Sequence, residues 1–222
     1  MNEEVSKQVE ELRGYHKIQT AMGKAMMEAD GGAFYPLDFL AIAVLDRSQA
    51  LIAGFCSMVE ARNLVCAAPL VRLQIDNCLR FYAAFIVKDP HDFAVSVLKG
   101  VSVRKLRDRD NKLMTDRHLA EKLSEKYPWI MKLYEETSGY IHLSEKHIFN
   151  AITDAPGDRT VSFKISPEDI DVDDEVYIEA TKAFKAATNV LLEHIHGWTY
   201  TKANPEKVAE MKRKLNEVKG TT

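Results

Sequence analysis

Apolar residues recur through much of the chain at the three- and four-residue spacing of an amphipathic α-helix. Residues 3–29 show this spacing first, and the glycines within residues 30–32 end the stretch because glycine readily forms a left-handed helix cap. Residues 37–63 place apolar side chains on nearly every side of a helix, with one polar interruption at residues 46–49. A helix that is apolar all round is a buried helix, so we expect this segment and a third helix over residues 68–88 to form the core.

The second half of the chain is more polar and predicts shorter helices, one strand and a long helix near the end. The expected helices cover residues 91–99, 116–126, 128–140, 171–196 and 205–219. Val161, Phe163 and Ile165 are apolar residues at every second position, which predicts a strand, or half of a hairpin with residues 148–152.

These elements together predict a mainly all-α fold, a multi-helix bundle with a small β-hairpin or strand insertion near residues 148–166. We expect at least about 60% of the residues to be helical. The chain divides into a single helical-bundle domain over residues 1–200 and a charged C-terminal helix or tail over residues 201–222.

The composition and charge exclude some classes of protein but do not indicate a specific function. The 222 residues are 46% hydrophobic, and 30 basic against 33 acidic residues leave a net charge of −3. A balance this even excludes a chain-wide attraction to nucleic acid or to an anionic membrane. The acidic N-terminus lacks the order of a signal peptide, and neither apolar run around residues 46–49 reaches the roughly 20 residues that span a bilayer. We therefore expect a cytoplasmic protein without a membrane segment.

The three cysteines, Cys56, Cys66 and Cys78, lie in apolar surroundings and lack CxxC spacing. This pattern argues against a disulfide framework or a zinc ribbon. We expect all three to be small buried side chains in a reducing compartment.

The third helix carries a charged stripe on an otherwise apolar sequence. Arg72, Asp76 and Arg80 follow one another at four-residue spacing and so share one side of the helix. One interpretation is a structural ladder of arginine and aspartate. The other is a ligand-binding pocket in which the two guanidinium groups hold an anion such as phosphate. The second arginine needs an acidic partner, and if neither Asp46 nor Glu60 supplies it, a bound anion is the natural counter-charge.

A second polar cluster follows near Tyr140 and His142, the candidate catalytic residues of this chain. Both side chains would close a helix corner by hydrogen bonds in the structural interpretation. In the functional one they face the stripe of Arg72, Asp76 and Arg80 as a proton-transfer or substrate-orienting pair and close its pocket.

Motifs that would fix a reaction are absent from the sequence. The chain contains no HExxH, no CxxC pair, no EF-hand loop, no GxGxxG, no Walker A sequence and no GxSxG elbow. We therefore expect no metal and no cofactor, and the sequence leaves open whether the protein is an enzyme.

Part of the chain, about residues 60–150, resembles the HEPN-like bacterial helical domains. The residues that carry the resemblance are Pro69, Arg72, Asp76 and Arg80 in the third helix, and Tyr140, Leu143, Ser144 and His147, which match an uncharacterised branch of the group. The resemblance implies an α-helical bundle that dimerises, and many such domains are RNA-cleaving toxins or defence effectors. Those use an Arg-x(4–6)-His motif that this chain lacks, since Arg62-Asn63 has no histidine four to six positions on.

Two functional hypotheses follow from these observations. The first is a helical protein that acts through protein interaction as a homo-oligomer. The alternative is a HEPN-like defence or toxin-type protein that binds a nucleotide, another small anionic ligand or RNA at an internal polar site; if it is an enzyme, it is ribonuclease-like. A stripe that opens onto a cavity would favour the second hypothesis.

Overall fold

The computed structural model describes residues 2–141, 147–148, 151–154, 160–167, 169 and 172–219. It is 78% helical, which confirms the predicted mainly all-α multi-helix bundle. The helices are α1 (Glu3–Glu28), α2 (Pro36–Glu60), α3 (Leu64–Ile86), α4 (Pro90–Leu98), α5 (Asp116–Ser124), α6 (Trp129–Ile141), α7 (Asp174–Ala203) and α8 (Pro205–Lys219), and the strands are β1 (Ile152–Asp154) and β2 (Ser162–Phe163).

Helices α1, α2, α3 and α7 form the core, with α4 packed on α2 and with α5 and α6 packed on α3. Helices α2 and α3 run antiparallel: the Asn77 Nδ2 atom donates to the Val44 carbonyl at 2.7 Å, and Gln74 reaches Ser48. The rings of Phe55 and Phe184, both fully buried, meet at 4.6 Å between α2 and α7. The four helices thus bury one continuous apolar interior.

A small polar layer crosses this interior and takes one side chain from each core helix. The Gln74 Nε2 atom on α3 donates to Ser48 Oγ on α2 at 2.7 Å and to Thr188 Oγ1 on α7 at 3.0 Å. Gln19 of α1 donates to the same Ser48 oxygen at 2.9 Å. Because these hydrogen bonds form only at particular distances between the side chains, the layer favours one arrangement of the four helices.

Helix α3 begins at Leu64, four residues before the predicted start. The Asn63 side chain caps it by accepting the Cys66 amide hydrogen at 2.9 Å, and the Asp169 carboxylate accepts the amide hydrogen of Leu64 at 2.7 Å. A side-chain acceptor at this position satisfies amides that the helix leaves unpaired. Pro69 therefore lies inside the helix rather than at its start.

Helix α2 does not break at its polar interruption. It is the one described helix that is long and apolar enough to cross a membrane by length and composition, because the two apolar runs join through residues 46–49. Core helices pass the same test, and the fully buried Phe55, Cys56 and Val59 place one side of α2 in the interior of the bundle.

The predicted hairpin is present within residues 148–166. Strands β1 and β2 are antiparallel, with Ile152 opposite Phe163, and the Lys164 amide donates to the Ala151 carbonyl at 2.8 Å. After the hairpin the chain returns to the start of α3, where Asp169 also donates its own amide hydrogen to the Arg62 carbonyl. The hairpin is therefore anchored near the N-terminal end of α3.

The last long helix continues beyond the end of the predicted bundle domain at residue 200. Helix α7 runs to Ala203, and the side chain of Lys202 is fully buried in the core. The separate charged segment begins at Pro205, where α8 starts.

The cysteines differ in exposure, which corrects the expectation that all three are buried. Cys56 and Cys78 lie in the core, whereas Cys66 is exposed on the first turn of α3. Burial raises the pKa of the Cys78 thiol to about 12 and also raises that of Cys56. Since the thiolate is the reactive form, we expect DTNB at about pH 8 to modify one thiol rapidly in the folded protein and all three in denaturant. Cys66→Ser should abolish the rapid reaction, and two or more rapid thiols in the folded wild type would contradict this assignment.

Candidate functional site

The C-terminal part of the charged stripe, Asp76 and Arg80, is neutralised by ion pairs within the protein. Arg80 pairs with Asp76 on the same helix at 2.8 Å and donates to the Asp116 carboxylate at 2.6 Å. The second Asp76 oxygen accepts from Arg47 of α2 at 3.0 Å. Two guanidinium groups and two carboxylates thus form a closed network with no net charge, and this half of the stripe needs no bound anion.

The acid that completes this network is not one of the two that the sequence suggested. Asp46 is exposed, and Glu60 pairs with Arg13 of α1 at 2.7 Å. The partner of Arg80 is Asp116, the first residue of α5. A carboxylate is favoured in the first turn of a helix by the helix dipole, so one side chain both stabilises α5 and fastens it to α3.

Arg72, the N-terminal member of the stripe, has a different environment. It is 7% exposed, and its guanidinium carbon lies 3.9 Å from the centre of the Tyr134 ring on α6. Within the described part of the chain its Nε atom has no hydrogen-bond acceptor, and no carboxylate pairs with the group. Asp76, one turn away, is directed to Arg47 and Arg80 instead. Among the residues that the structure describes, this one buried cation of the stripe has no counter-charge.

Tyr140 lies at the N-terminal end of α3, away from Arg80. It lines a groove of about 260 Å³ between α3, α6 and α7, together with Leu64 and Ala68. The α3 residues of this groove include Ala68 and Val71, which lie twelve and nine residues before Arg80, or about 18 and 14 Å along the helix axis, so Tyr140 lies nearer to the Arg72 end of the stripe than to the Arg80 end. The groove is mainly apolar, and burial raises the pKa of the Tyr140 hydroxyl.

The described histidine nearest to Tyr140 is His147, with ring centres 6.3 Å apart. His142, the other proposed catalytic residue, lies outside the described residues. The pairing of Tyr140 with His142 therefore stays a prediction.

A fully buried ion pair between Asp38 and Lys202 was missed by the sequence analysis. The Lys202 Nζ atom donates to Asp38 Oδ2 at 2.9 Å and to the Met26 carbonyl at 3.0 Å. The other Asp38 oxygen accepts from the Trp198 indole at 2.7 Å, and the Tyr35 amide donates to Oδ2 at 2.8 Å. These bonds join α1, α2 and α7. No sequence signal could link two residues 164 positions apart.

Histidines elsewhere do not form a metal centre. Among the described residues, no group of three or more histidine, cysteine, aspartate or glutamate side chains is placed to hold a metal ion. His194 bonds the Val190 carbonyl through Nδ1 and packs against the rings of Tyr82 and Phe85. Burial lowers the pKa of His194, which favours its neutral form and a structural role.

Comparisons with known proteins identified no relative of this chain. No protein-family model matches the chain, and neither a curated protein nor a solved structure matches it.

Proposed function

We propose that this protein acts through protein interaction as a homodimer, and that it dimerises through the hairpin face, which we define as the side chains of Val161, Phe163 and Ile165. The observation that carries the proposal is the exposure of this face. Val161 is 48% exposed, Phe163 is 68% exposed, and Ile165 is fully exposed. Three adjacent apolar side chains open to water are typical of an interaction surface.

The local structure explains why these side chains are together. Phe163 lies in β2, and Val161 and Ile165 are two positions before and after it. Because alternate residues of an extended chain point to one side, this spacing predicts that the three side chains share one apolar face. A two-stranded hairpin is marginally stable alone and ordinarily gains stability by packing one face on another element. Here that face is open, and a partner that covers it would supply the missing packing.

The same end of the bundle extends the apolar surface. Val65 lies in the first turn of α3, Val176 lies in the first turn of α7 and Ile141 ends α6, and each is at least 36% exposed. The groove beside Tyr140 opens among these helix ends. These exposed side chains add apolar surface at the end of α3 to which the chain returns after the hairpin.

A second copy of the chain is the partner that this surface fits best. An uncharged apolar face is complementary to itself, and twofold pairing, in which both copies use the same residues, is the commonest assembly of soluble proteins. The chain's net charge of −3 gives little repulsion between copies. The resemblance to HEPN domains, which often dimerise, points the same way.

The proposal is tested by the mass of the protein in solution. We expect light scattering to give about twice the chain mass of 25.1 kDa for the wild type and the single-chain mass for Phe163→Glu. In a twofold dimer the introduced carboxylate lies opposite the same carboxylate of the other copy, and the two negative charges repel. Leu98→Glu is the matched control, since Leu98 is also exposed but lies on α4, which follows the opposite end of α3. A wild type of single-chain mass at every concentration, or a Phe163→Glu protein as dimeric as the control, would contradict the proposal.

A further inference from the structure

The arginines and aspartates around the stripe do not balance in charge. Arg47, Arg72 and Arg80 contribute three positive charges, whereas Asp76 and Asp116 contribute two negative ones, which leaves one positive charge. The ion pairs identify where it resides, because both aspartates bond Arg47 or Arg80 and neither bonds Arg72. The excess charge is therefore on Arg72, the most deeply buried of the three arginines.

A buried guanidinium without an acceptor is costly, because it has lost water and gained no hydrogen bond in return. The ring of Tyr134 covers one face of the Arg72 guanidinium and compensates part of this cost by a cation–π contact. Such a contact uses the face of the planar group and leaves its edge, where all five N–H bonds point, without partners. The edge is the part of the group that still requires an acceptor.

The surroundings of Arg72 also hold the group in a fixed orientation. Its Nε atom is sealed from solvent without an acceptor, and the residue as a whole is 7% exposed. A guanidinium held against an aromatic ring, with N–H donors at its edge that are unpaired among the described residues, is the arrangement that recognises a planar or tetrahedral oxyanion by two parallel hydrogen bonds.

We propose that Arg72 is the binding residue of an anion site between α3 and α6, and that its ligand is a phosphate group, either free or carried by a nucleotide. A phosphate fits the terminal donors and supplies the negative charge that the cluster lacks. Arg80 is not assigned to this site, because its Nη2 atom already pairs with the carboxylates of Asp76 and Asp116, which neutralise its charge. The site is separate from the hairpin face and does not depend on the proposed dimer.

Calorimetric titration with inorganic phosphate and, separately, with adenosine monophosphate tests the site. We expect the wild type to bind at least one of the two probes. Equal affinity for both would identify the phosphate alone as the ligand, and tighter binding of the nucleotide would show that the base or sugar also contacts the protein. Arg72→Met should weaken binding at least about tenfold, the equivalent of one lost charge-assisted hydrogen bond.

Two further variants separate a binding role from a structural one. Arg117→Met removes an exposed arginine of α5 that is paired with Glu121 and lies outside the cluster, so it should leave the affinity within about threefold of the wild type, as expected when no ligand bond is lost. Arg72→Lys keeps the positive charge and serves as the test if the methionine variant does not fold. We expect this variant to bind phosphate measurably, but more weakly than the wild type does. The proposal is overturned if the wild type binds neither probe, or if folded Arg72→Met or Arg72→Lys binds as tightly as the wild type.

Discussion

Replacement of Lys202 by methionine is expected to destabilise the protein by about 3–5 kcal/mol, because it leaves the buried carboxylate of Asp38 without its cation. Lys202 and Asp38 are both fully buried, 2.9 Å apart. Their bonds to Met26 and Trp198 hold α1, α2 and α7 together, so the loss affects the core directly. For a chain of this length the change corresponds to a fall of about 6–20 °C in Tm.

Two comparisons isolate the cause of this destabilisation. Lys24→Met removes a lysine whose ion pair with Glu28 is mostly exposed, and it should change stability by less than about 1 kcal/mol. The double variant Asp38→Asn with Lys202→Met contains no unpaired charge and should recover part of the lost stability. Circular dichroism melting curves measure all three. A Lys202→Met protein as stable as Lys24→Met would show that the buried pair does not hold the helices together.

Phe55→Ala is expected to cost about 3–5 kcal/mol, since it opens a cavity where α2 meets α7. The Phe55 side chain is fully buried and its ring lies 4.6 Å from that of Phe184. Phe39→Ala is a close control on the same helix, because Phe39 also contacts another phenylalanine ring, Phe34 at 4.6 Å, but is 50% exposed. Urea unfolding should give a loss below about 1 kcal/mol for Phe39→Ala. Similar losses at the two positions would contradict the assignment of the core to this side of α2.

Most helices could be predicted from the sequence because their signals are local. The apolar spacing identifies α1, α2, α3 and α7, and the alternation at Val161, Phe163 and Ile165 identifies the hairpin. The polar interruption at residues 46–49 divides the apolar sequence of α2 into two runs, and in the structure Ser48 of this segment enters the buried polar layer and Arg47 reaches Asp76. Polar residues within an apolar helix here mark contacts with other helices.

The charged sites could be predicted only in part, because their partners come from distant positions. The pair of Asp76 and Arg80 follows from four-residue spacing on one helix. The contact of Arg80 with Asp116 and that of Arg72 with Tyr134 depend on how α5 and α6 pack on α3, which no local pattern encodes. The sequence therefore indicated that the stripe matters but not which arginine lacks a partner.

Cross-linking at the hairpin face tests the proposed homodimer most directly. In a Cys66→Ser background, which removes the exposed thiol, a single Phe163→Cys substitution places one thiol at the centre of the face in each copy. Twofold pairing brings the two thiols within the short reach of a disulfide. We predict that mild oxidation links Phe163→Cys into a covalent dimer at low protein concentration, whereas Leu98→Cys in the same background stays single. Equal linking at both positions, or none at either, would contradict a dimer formed through the hairpin face.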